Sequence, residues 1–127
     1  MFVGYHDFRS FMKPTQDEHH RPSFTLRRIN YVRIEKSSAH TILSLGEYSD
    51  EIMYYDIIFN APSFLSRQIR KMVGILIGVG RGEIKKRDVY EMLTIPSKFS
   101  NRYRMAPPDG LYMADIEFND YCNKLKE

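Results

Sequence analysis

Apolar residues change their spacing near residue 60, and that change divides the chain into a strand-bearing part and a helix-bearing part. From Leu26 to Glu35, Ile29 and Tyr31 alternate with Val32 and Ile34, the period of a strand. Met53 to Phe59 repeats the pattern, with Tyr55, Ile57 and Phe59 against Tyr54, Asp56 and Ile58. Residues 36 to 52 have room for a short third strand. Phe2 to Met12 reads as the tail of an element followed by a turn, and the polar, proline-bearing run Lys13 to Ser23 reads as a loop. Beyond residue 60 the period becomes helical: Leu65, Ile69, Met72, Val73, Leu76 and Gly80 recur along one long helix, with Asn60 and Pro62 marking its start. A short helix is predicted from Lys86 to Leu93, then a looser stretch to Pro108, then a returning strand from Gly110 to Phe118. This order predicts an α+β fold, an antiparallel sheet with helices packed on one face.

A length of 127 residues supports one domain, 1–127, with a single core. Met72 to Gly80, the longest apolar run, is too short to span a bilayer, so no membrane is expected. The first ten residues lack the pattern of a secretory signal, and the one cysteine, Cys122, has no partner for an internal disulfide. The single cysteine fits a reducing compartment, cytoplasm or mitochondrion, with the nucleus left open. Net charge is +3, but it is unevenly spread. Between Ala61 and Arg87 seven cations stand against Glu83 alone, whereas Asp109 to Glu127 holds five acids and two lysines. Such asymmetry suits a polyanion near the middle of the chain, and it equally suits a solvated basic helix face.

The long helix sharpens the question, because a run that wants burial carries Arg67, Arg70 and Lys71 in its first turns. On a helical wheel Leu65, Ile69, Met72 and Leu76 share one face. Arg67 and Lys71 fall opposite, in line with Gly74 and Gly78, free for solvent or phosphate. Arg70 falls at the boundary of the apolar stripe and is the cation expected to be partly buried. A partly buried arginine keeps its charge and wants a carboxylate or phosphate. A structural salt bridge to Asp56 or Asp115 meets that need, and so does an anionic group held in a site. The glycine run "GVGRG" closes a helix rather than opening one, so it does not suit phosphate.

Other constellations are weaker. His19 and His20 are adjacent in a polar loop with no further ligand at metal spacing, so no metal is expected. His6 can pair with Asp7, though no nucleophile motif accompanies them, and a cap or turn is the plainer role. Tyr5, Tyr31, Tyr54, Tyr55, Tyr103 and Tyr112 can stack on bases, and most are expected to be core edges instead. "RYRMAPPDGLYM" sends Arg102 and Arg104 into a Pro-Pro-Asp-Gly turn expected to place Gly110 at positive φ, with Leu111 opening the strand beside the basic helix.

Taken in order, "FVGYHDFRSF", "TLRRI", "PSFLSRQIRKMVGILIGVGRGEI", "DVYEML" and "APPDGLYMADIEF" resemble the C-terminal half of the TruA family of tRNA pseudouridine synthases, the "RQIRKM" form being closest to its eukaryotic pseudouridylate synthase-like branch. The resemblance implies isomerisation of uridine in tRNA without a cofactor. It implies that Arg70 pairs with the family's catalytic aspartate and that Leu111 lies near the target base. Arg67, Lys71, Arg81, Arg102 and Arg104 are then expected to face RNA, and a homodimer is a common family state. The family's aspartate lies in a Gly-Arg-Thr-Asp motif of the N-terminal half, and no such motif occurs in these 127 residues. The chain by itself is therefore expected to be inactive. A non-catalytic RNA-binding module that keeps the fold is the alternative, and a domain docking an acidic protein is a third.

Overall fold

The computed structural model describes residues 1–13, 25–37, 53–95 and 103–118. Strand β1 (Gly4–Asp7) pairs antiparallel with β2 (Leu26–Ile29), Gly4 opposite Ile29 and Asp7 opposite Leu26. Strand β3 (Tyr31–Lys36) pairs antiparallel with β4 (Tyr55–Asn60), Tyr31 opposite Asn60 and Lys36 opposite Tyr55. Helices α1 (Gln68–Gly80) and α2 (Lys86–Thr94) follow, and a 3-10 turn, Arg9–Phe11, sits between β1 and β2. The class is α+β, as the residue pattern predicts.

The sheet is divided where one was expected. The apolar alternation predicted from Leu26 to Glu35 breaks at Asn30, where the chain changes partner from β1 to β4. Asn30 fixes the break: its amide donates to the Asn60 carbonyl at 2.8 Å, and its side chain bonds the Asn60 side chain at 2.6 Å. The inward phase shifts there, so that Ile29 is buried, Val32 packs against the core and Ile34 is exposed. The helix start also moves. Asn60 still belongs to β4, and α1 begins only at Gln68. The strand expected from Gly110 to Phe118 is not formed among the described residues. Residues 111–118 lie exposed with no strand beside them, and Gly110 is outside the positive-φ region. A third strand in 36–52 falls mostly on residues outside the described ones, as do the Lys13–Ser23 loop, apart from Lys13 itself, and Cys122.

The core joins the start of the chain to the two helices. Phe2, Phe8 and Phe11 meet ring to ring, Phe2 and Phe11 edge-on with centroids 5.3 Å apart. Edge-to-face contact aligns the positive rim of one ring with the negative face of the other. The same buried cluster takes Ile29, Leu65, Met72, Ile75, Ile84, Val89, Met92 and Leu93. Asp7 holds the aromatic turn in place. Its carboxylate accepts the Arg9 amide at 3.0 Å and the Thr25 hydroxyl at 2.5 Å, while His6 donates from Nε2 to the Val3 carbonyl at 3.0 Å rather than pairing with Asp7. In α1 the stripe is centred on Met72 and Ile75, with Ile69 and Leu76 half-buried at its shoulder.

Two glycines of "GVGRG" show why this run ends a helix. Glu83 N–H bonds the Gly78 carbonyl at 2.9 Å and Gly82 N–H bonds that of Val79 at 3.0 Å, the paired closure that requires a left-handed residue after the helix. Gly82 supplies it at φ 75°. Gly80, the last helical residue, has open space where a Cβ would go. Gly82→Ala is expected to cost about 1–2 kcal/mol, the penalty of a side chain in the left-handed region. Gly80→Ala is expected to gain up to about 1 kcal/mol through helix propensity. Urea unfolding midpoints of the two variants check both signs.

Candidate nucleic-acid interface

The entry into α1 is built on an unusual residue. Arg67 takes the left-handed conformation, φ 63° and ψ 6°, and leads directly into the helix with an exposed side chain. An L-residue there costs about 1–2 kcal/mol, so the surroundings must hold it. They do so on the inner side. The Gln68 side-chain carbonyl accepts the Leu65 amide at 2.7 Å, and Gln68 N–H returns to the Leu65 carbonyl at 3.0 Å. Gln68 is fully buried by this role, and its Nε2 has no hydrogen-bond partner among the described residues. Lys13 N–H bonds the Ser66 carbonyl at 3.1 Å from the other side.

Charge at this end runs against the helix dipole. The first turn of α1 carries no acid, while Arg67, Arg70 and Lys71 crowd the positive end. Each cation there is unfavourable by about 0.3–1 kcal/mol. Helix α2 shows the ordinary solution, with Asp88 in its first turn accepting the Lys85 amide at 3.0 Å. The start of α1 therefore keeps an uncompensated positive charge, the electrostatics an anion needs.

The three cations are placed differently from one another. Lys71 is half-buried, not free in solvent: its Nζ donates to the Met12 carbonyl at 2.7 Å. Burial, and next the Arg67 guanidinium, hold its amine below the usual lysine range. Arg70 is half-buried, as the pattern suggests, but for a different reason. A separate stretch of backbone, residues 104–106, covers α1 at Gly74, one turn along from Arg70. A methyl group at Gly74 would collide with the Arg104 carbonyl oxygen. Ala106 N–H bonds the Arg70 carbonyl at 3.0 Å, and Arg70 Nε donates to the Ala106 carbonyl at 2.8 Å. Among the described residues Arg70 forms no ion pair, so neither Asp56 nor Asp115 satisfies it. Asp115 instead accepts the amide of Ile116.

Of the other candidates, Arg104 is exposed, its backbone resting on Gly74. Leu111 is 46% exposed and closes a turn, donating its amide to the Pro108 carbonyl at 3.0 Å. That turn begins two residues beyond Ala106, the residue whose main chain bonds Arg70. Arg81 caps the far end of α1, about 16 Å from Arg70 along the helix axis at 1.5 Å per residue. It does not share the cluster. Arg102 lies outside the described residues, as do His19 and His20. Tyr5, Tyr54, Tyr55 and Tyr112 are exposed and only Tyr31 and Tyr103 are half-buried, so most are surface residues rather than core edges. The Arg33 guanidinium stacks 4.4 Å from the Tyr31 ring centre.

Gly74 was placed on the wheel, and the close backbone approach that a glycine permits is made there by residues 104–106. Gln68 and Ala106 were missed, because no local signal joined Gly74 to a segment 32 residues away. Among the described residues no group of three or more His, Cys, Asp or Glu side chains is gathered to hold a metal, and no helix is long and apolar enough to cross a membrane.

Comparison with known proteins supplies the family. The model of the tRNA pseudouridine synthase family matches residues 1–119, and the chain belongs to that family. Among curated proteins it is 38% identical to tRNA pseudouridine synthase A of Pseudothermotoga lettingae, over 92% of this chain and 40% of that protein. It is 31% identical to tRNA pseudouridine synthase-like 1 of Xenopus laevis, over 94% of this chain and 39% of that protein. The Wolinella succinogenes tRNA pseudouridine synthase A matches along 100% of this chain at 31% identity, covering 42% of its own length. The chain thus spans about two-fifths of the relatives it matches.

Lys71 has a pH signature. Its amine protonates less readily in the fold than in the unfolded chain, so the unfolded state binds the extra proton between the lowered native pKa and the ordinary lysine value of 10.5. Stability therefore rises with pH across that window and is lowest below it. Lys71→Met is expected to remove this rise, which urea midpoints measured for both proteins as pH approaches 10.5 will show.

Proposed function

We propose that this chain forms part of a tRNA pseudouridine synthase, supplying the arginine partner of the catalytic aspartate and one wall of the RNA cleft. The observation that carries this reading is the state of Arg70. Its Nε is occupied by a main-chain carbonyl, while its two terminal nitrogens make no bond to any described residue. A half-buried guanidinium presented in that way calls for an anion. In the proposed reaction the uridine N1–C1′ bond breaks and a C5–C1′ bond forms. The C5 proton leaves and N1 gains one, so the product is an isomer and no cofactor enters. Arg70 beside the aspartate favours the carboxylate over the neutral acid, and it fixes where that carboxylate stands.

Exposed Arg67, the half-buried Lys71 and exposed Arg104 line the RNA side in this reading, with Leu111 near the target base. Phosphate contacts release counterions, so affinity should fall steeply with salt. Family membership over residues 1–119 supports tRNA as the substrate class.

The pure chain is expected to leave uridine in tRNA unchanged, and pseudouridine formation by it, read by mass-shift labelling, would refute the assigned division of labour. In the complete enzyme, Arg70→Ala is expected to lower turnover at least about a hundredfold while tRNA affinity changes little. Lost affinity with normal turnover of bound tRNA would remove Arg70 from the chemistry. Arg67→Ala is expected to reduce the slope of log affinity against log salt by about 1.

A further inference from the structure

Arg70 is held by the main chain of a distant segment, residues 104–106. Arginine has a planar head, so fixing the direction of Nε–H fixes the plane and bearing of both terminal nitrogens. Here that direction is set by the Ala106 carbonyl, 2.8 Å from Arg70 Nε. Ala106 also donates its own amide to the Arg70 carbonyl at 3.0 Å, so one residue grips Arg70 by main chain and side chain together.

Two features of sequence make this grip possible. Pro107 follows Ala106, and a residue before proline is driven to the extended region. An extended residue turns its N–H and its C=O to the same side, as residues do in an antiparallel pair. Gly74 is the second feature, because the 104–106 backbone lies where any Cβ at that position would stand. The obstacle is main chain, which has no rotamer to swing away. Gly78 differs in kind: the atom that would face its Cβ is the mobile tip of Ile84, at 2.5 Å.

We infer that Gly74 and Ala106 are positioning residues for Arg70: Gly74 admits the 104–106 backbone against α1, and the Ala106 carbonyl then presets the guanidinium toward a carboxylate. The choice of a carboxylate rests on the function proposed above, while the clasp itself does not. The guanidinium loses its freedom when the chain folds rather than when it meets its partner, which is what preorganisation of a charged site requires. The grip also ties the cation to Leu111, since Ala106 leads through Pro107 and Pro108 into the turn that Leu111 closes.

Hydrogen exchange of the Arg70 Nε–H, followed by nitrogen-15 NMR in the 127-residue chain, tests the clasp directly. In the unsubstituted chain it should exchange about tenfold more slowly than that of exposed Arg67, the factor one hydrogen bond gives. Gly74→Ala should abolish the difference, and Gly80→Ala, in open space on the same helix, should leave it intact. Pro107→Gly, at an exposed position, should erode the protection several-fold. Equal exchange of Arg70 and Arg67 in the unsubstituted chain overturns the inference, whether or not Gly74→Ala folds. Unchanged protection in a folded Gly74→Ala overturns it as well. Turnover is a separate readout: a protected Arg70 together with full activity of Arg70→Ala in the complete enzyme keeps the clasp and refutes the catalytic role.

Discussion

Met72 and Ile75 on α1 enter the same buried cluster as Phe2, Phe8 and Phe11, and the rest of the described structure is arranged around that contact. It joins the first residues of the chain to the middle of the helix across some sixty positions of sequence. Burial of a large apolar side chain is worth about 1.5–3 kcal/mol, so several such residues on one face outweigh the strain and charge repulsion at the helix entry. Without that anchor, a left-handed Arg67 and three cations on the positive end of a dipole would favour unwinding the first turn.

Because one side of α1 is committed to the core, the reverse side is free to receive something else, and it receives backbone. The 104–106 segment lies on Gly74 and closes over Arg70. A main-chain carbonyl suits this purpose better than a carboxylate from the same chain would. It orients the guanidinium without neutralising it, leaving the charge available. Lys71 meets a similar fate at the Met12 carbonyl, where it ties the end of the aromatic turn to the helix. Arg70 and Lys71 are thus cations held by neutral acceptors, which keeps the local potential positive.

How far the chain could be read in advance depends on the range of the interactions involved. The period change near residue 60, the short helix at Lys86–Thr94 and the glycine-terminated end of α1 come from neighbours within a few positions, and these were legible. Motif resemblance reached the family that residues 1–119 match. The split of the sheet at Asn30 was hidden, because alternation in sequence does not say which strand a residue pairs with. The start of α1 was misplaced because Pro62 looked like a helix opening, whereas β4 runs through Asn60 and Gln68 ties down the turn at Leu65 that precedes the helix. The returning strand at 111–118 had the right alternation, yet no strand among the described residues pairs with it.

Residue order alone dictates a long amphipathic helix with three cations in its first turns, a glycine that ends it, and strands that precede it. Those outcomes follow from propensity, periodicity and local hydrogen bonding. Long-range folding sets which of the cations is exposed and which are tied to a main-chain carbonyl. That difference arises from Met12 and Ala106, residues far along the chain whose main-chain groups carry no side-chain signature. Any residue type has a carbonyl to offer, so its partner is chosen by where the fold brings the backbone.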